Sequence, residues 1–148
     1  DGKGIPLSIT KNITLSEGED TISVEYLVEG QVLEPFYLGV EFNFSFLGSG
    51  GDRYIEVGQE RLPLTTNAVV ETSQGVRFHD PYQGIDVSLL FDMPQSIFTF
   101  PVEVVSLSEE GFEKNYQSTM LMPLWEIDLS SGSKRIQLKL QLVQRIDA

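Results

Sequence analysis

Residues 36–46 read FYLGVEFNFSF, and their alternation decides the fold class. Phe36, Leu38, Val40, Phe42, Phe44 and Phe46 share one parity, and Tyr37, Gly39, Glu41, Asn43 and Ser45 share the other. A strand turns successive side chains to opposite faces, so a period of two over eleven residues marks a half-buried antiparallel strand. No helix of period 3.6 places its apolar residues this way.

The same period recurs on both sides. Ile5, Leu7, Ile9, Ile13 and Leu15 lie on one parity, broken only by Lys11. Ile22, Val24, Tyr26 and Val28 follow, and later Ile85, Val87, Leu89 and Phe91, then Phe98, Phe100, Val102 and Val104, then Ile136, Leu138, Leu140 and Leu142. Residues 120–129 are mixed but apolar and hold Pro123, which predicts an edge position or a bulge there. Turn-rich clusters separate the runs: SEGED at 16–20, VEGQ at 28–31, GSGGD at 48–52, DPYQG at 80–84, DMPQ at 92–95 and SSGSK at 130–134. Residues 56–74 have weak periodicity and read as a long loop or a short edge strand. With no long helical pattern, the sequence predicts an all-β fold: an antiparallel two-sheet β-sandwich of eight to ten strands, one domain over residues 1–148.

Composition narrows the function classes. A chain of 148 residues buries roughly 68–70% of its unfolded surface, enough for a substantial core. Ten basic against 22 acidic residues, a net charge of −12, disfavour nucleic acid and anionic membrane as partners. Neutral glycans stay open as partners. So does calcium, which takes oxygen ligands, although nothing specific supports it. There is no cysteine, which removes disulfides, thiolate metal sites and thiol nucleophiles. No apolar run approaches the ~18 residues of a membrane span. The chain opens on Asp1, which points to processing or to excision from a longer polypeptide.

The break in alternation at SEEGFEKNYQ, residues 108–117, carries the densest polar chemistry. Glu109, Glu110 and Glu113 invite a paired-carboxylate reading, but glycosidic cleavage needs two carboxyl groups flanking a bond in different protonation states. Nearness in sequence does not supply that. Ser106-x-x-Glu109 fits a capping box, which predicts a short helical turn with Phe112 packed beneath it. The single histidine, His79, sits beside Asp80, and neighbours on a strand point to opposite faces, so the two do not form a catalytic pair. GSGGD lacks the lysine and helix of a phosphate loop. NIT at 12–14 and NFS at 43–45 match a glycosylation pattern too short to weigh.

Sugar contact suggests another set. Glu41 and Asn43, opposite the phenylalanine stripe, suit sugar hydroxyls or plain solvent. Tyr116 and Trp125, with Tyr37, Tyr54 and Tyr82, suit stacking on pyranose faces. Gln117 suits a polar contact or a strand-end bond. Trp125 is equally placed for the core.

Four segments occur in order: GVEFNF at 39–44, DPYQGIDVSLLF at 80–91, FPVEVVSLSEEGFEKNYQS at 100–118 and PLWEIDLSSG at 123–132. Together they resemble the C-terminal region of family 57 glycoside hydrolases, the α-amylase and 4-α-glucanotransferase group. The resemblance covers nearly the whole chain. It implies a sandwich of the large galactose-mutarotase-like type and a cytoplasmic enzyme acting on α-1,4-glucans. The catalytic residues of that group lie in a separate N-terminal (β/α) barrel, so none is carried over to this chain. The expected role is a non-catalytic domain that packs on that barrel and contacts glucan through Glu41, Asn43, Tyr116, Gln117 and Trp125. The rival is a structural or oligomerisation module without a ligand. The group's C-terminal region usually holds further strands before this one, so a bare sheet edge and self-association are expected.

Overall fold

The computed structural model describes residues 6–70, 73–109 and 111–144. Twelve strands and no helix form among them. In chain order they are β1 (Leu7–Leu15), β2 (Thr21–Gly30), β3 (Phe36–Gly39), β4 (Phe42–Phe44), β5 (Tyr54–Val57) and β6 (Glu60–Pro63). Then come β7 (Ala68–Val70), β8 (Gly75–Asp80), β9 (Ile85–Phe91), β10 (Ser96–Ser108), β11 (Gly111–Ile127) and β12 (Ser133–Gln144). A seven-stranded sheet runs in the order β1-β2-β12-β9-β8-β5-β6. A five-stranded sheet runs β3-β11-β10-β7, with β4 also on β11. All pairings are antiparallel. This is the two-sheet sandwich that the alternation predicts, with twelve strands in place of the expected eight to ten.

The inner faces meet as the stripes dictate. Phe44 and Phe46 of the 36–46 run reach across to Phe78 of β8, with ring centroids 4.4 and 5.4 Å apart. Trp125 of β11 meets Phe91 of β9 edge-on at 6.1 Å. Leu121, Ile127, Ile136, Leu138 and Val28 complete the buried core.

Three expectations are corrected. The 36–46 run is two strands, β3 and β4, not one. Both pair with β11 in a single register, Gly39 opposite Leu124 and Phe42 opposite Leu121. Pro123 faces the gap. The Val40 N–H donates to the Pro123 carbonyl at 3.2 Å, but proline has no N–H to return, so the ladder lapses at Val40 and Glu41. Pro123 thus lies in a central strand, not at an edge or a bulge; the bulge falls at Val102 and Glu103, where Gln117 is the extra residue.

The weakly periodic residues 56–74 hold the end of β5 and two short strands, β6 and β7, the latter at the edge of the five-stranded sheet. Among the described residues no helical turn forms at the 108–117 break. β10 and β11 continue through it as a hairpin with Ser108 paired to Gly111 and Leu107 to Phe112. Gly111 sits at φ 119°, a conformation few side-chain-bearing residues adopt, and this reverses the chain. Phe112 is 82% exposed, packed under nothing.

Candidate functional site

The five residues expected to touch sugar do not converge. Trp125 is 4% exposed and its indole N–H donates to the Asp92 carbonyl at 2.8 Å. Its ring is closed to a ligand, so the core placement is the one realised. Tyr116 is half-buried at the mouth of the core, where its hydroxyl meets Thr119 Oγ1 at 2.7 Å. Thr119 in turn donates to the Leu64 carbonyl at 2.8 Å, so the phenol is the donor of the pair. Burial pushes the Tyr116 pKa up from its ordinary value. Gln117 is exposed in the bulge, and its amide N–H groups reach the carbonyls of Asn115 and Tyr116. Its own carbonyl accepts the Ser45 hydroxyl at 2.9 Å, which ties the bulge to the end of the 36–46 run.

Glu41 and Asn43 do lie together. Both are exposed on the outer face of the β3–β4 edge, and the Asn43 amide donates to Glu41 at 2.7 Å. Asn43 stands opposite Met120, and Met120 opposite Phe100, so one row across the sheet reads Phe100, Met120, Asn43. The next row sets Phe98 opposite Met122, which the continued register places beside Glu41. Val69 stands beyond Phe98. A side chain at Gly39 would come within 2.9 Å of Met122 Sδ, so the glycine lets that methionine lie over the edge strand.

The outer face of the five-stranded sheet is therefore apolar: Val69, Phe98, Phe100, Met120, Met122 and Leu124, with Tyr37 at the edge. None of them belongs to the core cluster between the sheets, although Met120 is itself buried at 3% exposure. Phe100 is 42% exposed and, with Phe98 and Tyr37, is an aromatic that shares a face with Glu41 and Asn43. Its signal in the sequence is that residues 120–125 are apolar on both parities, and residues 97–102 are so apart from Thr99, the mark of a strand covered on both faces.

The acidic corner is solvent-facing. Glu113 pairs across the hairpin with Ser106, and both it and Glu109 are exposed. Glu110 lies outside the described residues. Nearby, Glu103 forms an ion pair with Lys114 at 3.4 Å.

His79 is buried on the outer face of the seven-stranded sheet, stacked on Tyr54, with Nδ1 3.0 Å from Asp86 and Nε2 3.5 Å from Glu56. Asp80 faces the other way and is fully buried, 3.0 Å from Arg53 Nε. Its second oxygen accepts the N–H groups of Tyr82 and Gln83, which fixes the DPYQG turn. Among the described residues no group of three or more acidic or histidine side chains could hold a metal, and no helix is long and apolar enough to cross a membrane.

The fold is that of the galactose-mutarotase-like sandwiches. The chain superposes on a putative aldose 1-epimerase of Escherichia coli K12 with a TM-score of 0.70 at 15% identity, over 95% of this chain and 62% of that one. A galactose mutarotase-related enzyme of Lactobacillus acidophilus gives 0.60 at 10% identity, over 95% of this chain and 63% of that one. Sequence and structure together then narrow the class. Residues 1–140 match the family described as Alpha-amylase/4-alpha-glucanotransferase, C-terminal, and the chain belongs to that family. It is 30% identical over 128 residues to Alpha-amylase 1 of Dictyoglomus thermophilum, covering 84% of this chain but 18% of that protein. The 4-alpha-glucanotransferase of Thermococcus litoralis superposes with a TM-score of 0.66 at 21% identity, over 97% of this chain and 19% of that one.

Proposed function

We propose that the chain serves as the non-catalytic C-terminal domain of a family 57 α-glucan-processing enzyme and packs against its catalytic barrel through the outer face of the five-stranded sheet. The apolar face itself carries the reading. Phenylalanine and methionine at its centre, with Tyr37, Glu41, Asn43 and Glu126 toward its edge, make the composition of a protein interface. A single sheet face left in water would instead alternate to polar residues.

The test is Phe100→Asp in the complete enzyme. Phe100 lies off the core, so the domain still folds. The expected result is that calorimetric unfolding of the enzyme separates into two transitions, the earlier belonging to this domain. An unfolding profile that superimposes on the wild type overturns the reading.

A second reading is direct contact with α-1,4-glucan. The observation favouring it is the row of Phe100, Met120 and Asn43 beside Glu41, which sets an aromatic ring and two hydrogen-bonding side chains on one face. Titration with maltoheptaose, followed by amide shifts, tests it. Saturable shifts confined to residues 39–44 and 98–102 support a sugar site; no shifts at millimolar sugar leave packing alone.

A further inference from the structure

Two turn motifs of the sequence, GSGGD at 48–52 and DPYQG at 80–84, meet at one side chain. The first leads into β5 and the second joins β8 to β9. Tyr54 stands opposite His79, so both open at the same end of the seven-stranded sheet. Arg53 ties them together. Its Nη1 donates to the Gly50 carbonyl at 2.9 Å, and its Nε lies 3.0 Å from Asp80 Oδ2. The same guanidinium lies over the Tyr82 ring, 5.2 Å from its centroid. The other Asp80 oxygen accepts the N–H groups of Tyr82 and Gln83. Tyr82 is therefore held by its backbone and by a cation over its ring, while its side chain stays open to solvent at 84% exposure.

The other aromatic hydroxyls are engaged elsewhere. Tyr26 is buried, Tyr54 stacks on His79 beneath Arg61, Tyr116 is half-buried against Thr119, and Tyr37 lies on the outer face of the five-stranded sheet. A carboxylate as fully buried as Asp80 is costly to desolvate, and its attraction for a partner offsets that cost only in complete geometry. Here that geometry is spent on fixing an exposed ring at a loop end, where a rigid scaffold commonly presents binding residues.

We infer that Tyr82 is the stacking platform of a carbohydrate subsite at this end of the sandwich, which takes the C–H face of a neutral pyranose. The negative face of an aromatic ring attracts C–H bonds, which carry partial positive charge, and the phenol hydroxyl adds a polar contact at the ring edge. Gln83 beside it is exposed and supplies an amide donor and acceptor for sugar hydroxyls. Asp80 neutralises Arg53, and the chain carries a net charge of −12, so phosphorylated or acidic ligands are disfavoured. A protein partner would call for a broader apolar patch than one ring beside a glutamine and a glycine loop. The choice of an α-1,4-linked glucose unit rests on the reading of the chain as a domain of an α-glucan enzyme. The subsite is separate from the row of Phe100, Met120 and Asn43, which lies on the other sheet.

The test is titration of the 148-residue chain with maltoheptaose, followed by amide shifts. Saturable shifts are expected at residues 48–53 and 82–84. Tyr82→Ala is expected to weaken the sugar affinity at least about ten-fold, and Tyr82→Phe, which keeps the ring, to hold it within about two-fold. Amide shifts outside the two loops report that each variant is folded. Unchanged affinity in Tyr82→Ala overturns the inference, and so does a loss in Tyr82→Phe as large as that in Tyr82→Ala. Shifts confined to residues 39–44 and 98–102 also overturn it and support contact through Phe100 instead. No shifts at millimolar sugar overturn both sugar sites and leave packing on the barrel, which the calorimetry of Phe100→Asp tests independently. Nuclear Overhauser contacts between the Tyr82 ring protons and the sugar give the same answer without substitution, and their absence at saturation overturns the platform.

Discussion

Asp80 shows how one side chain anchors both a turn and a core. One oxygen organises the DPYQG reversal through two backbone N–H groups, and the other holds Arg53. The carboxylate is fully buried and Arg53 is nearly so, with its guanidinium against the Tyr82 ring at 5.2 Å. Removing one partner of a buried pair strands the other charge, so Asp80→Ala should cost about 3–5 kcal/mol, measured by urea unfolding. Arg53→Met with Asp80→Ala should recover part of that loss. Tyr116 gives a prediction of opposite character. Its folded pKa is raised, so its contribution is fully present below pH about 10, the unfolded value, and is lost as pH rises through the folded value. Tyr116→Phe should cost on the order of 1 kcal/mol at pH 7, from the lost bond to Thr119, and should flatten the decline in melting temperature above pH about 10. The carboxylates behave the other way. Arg135 and Gln137 hold Glu25 below its ordinary pKa, and the Ser130 backbone N–H and hydroxyl do so for Asp128, so their contributions exist above the unfolded values and vanish as pH falls.

At the scale of elements, Pro123 governs the edge of the five-stranded sheet. It sits where its missing N–H would have bonded Val40, and the otherwise continuous strand divides there. Pro123→Ala should restore that bond and join β3 to β4. The gain of one hydrogen bond, ~0.5–1.5 kcal/mol, is offset by the greater freedom of the unfolded chain, ~0.4–1 kcal/mol. Net stability should therefore move little, while the new residue-123 amide should show strong protection from exchange. A freely exchanging amide there would mean the lapse has another cause. These elements also show what the sequence conveyed. Long alternating runs gave β2, β9 and β12 because one face of each meets the core, and β1 because its apolar positions continue the same face although they stay exposed. The 108–117 hairpin resembled a capping box because Ser and Glu three apart suit both a helix start and an exposed strand. β6 and β7, at four and three residues, are too short for any period to show. Phe100 was recognisable as a strand residue, but its outward partner row depends on the bulge at Gln117, which only tertiary pairing reveals. Trp125 was legible only as an apolar residue in a two-faced run; which face it took was decided by Phe91 and the Asp92 carbonyl.

For the whole molecule, the unequal sheets set the behaviour of the chain in solution. A seven-stranded sheet against five leaves an apolar corner at β1 and an open backbone edge, both prone to association as concentration rises. The net charge of −12 opposes that association over long range but is screened by salt. The two effects can be separated. Ile13→Lys removes apolar surface and places a charge on the edge, while lowering the magnitude of the net charge from −12 to −11. Thr14→Glu, on the polar face of the same strand, raises it to −13 without touching the corner. If the corner drives association, Ile13→Lys should raise the second virial coefficient from light scattering in 0.5 M salt, and Thr14→Glu should leave it unchanged. If net charge governs, Thr14→Glu should improve it at low salt and Ile13→Lys should worsen it. Ile13 is 61% exposed, so neither change should shift the melting temperature by more than about 2 °C, which keeps the comparison free of unfolding. A rise in the coefficient for Ile13→Lys despite its smaller net charge would assign the association to the apolar inner face left exposed at β1.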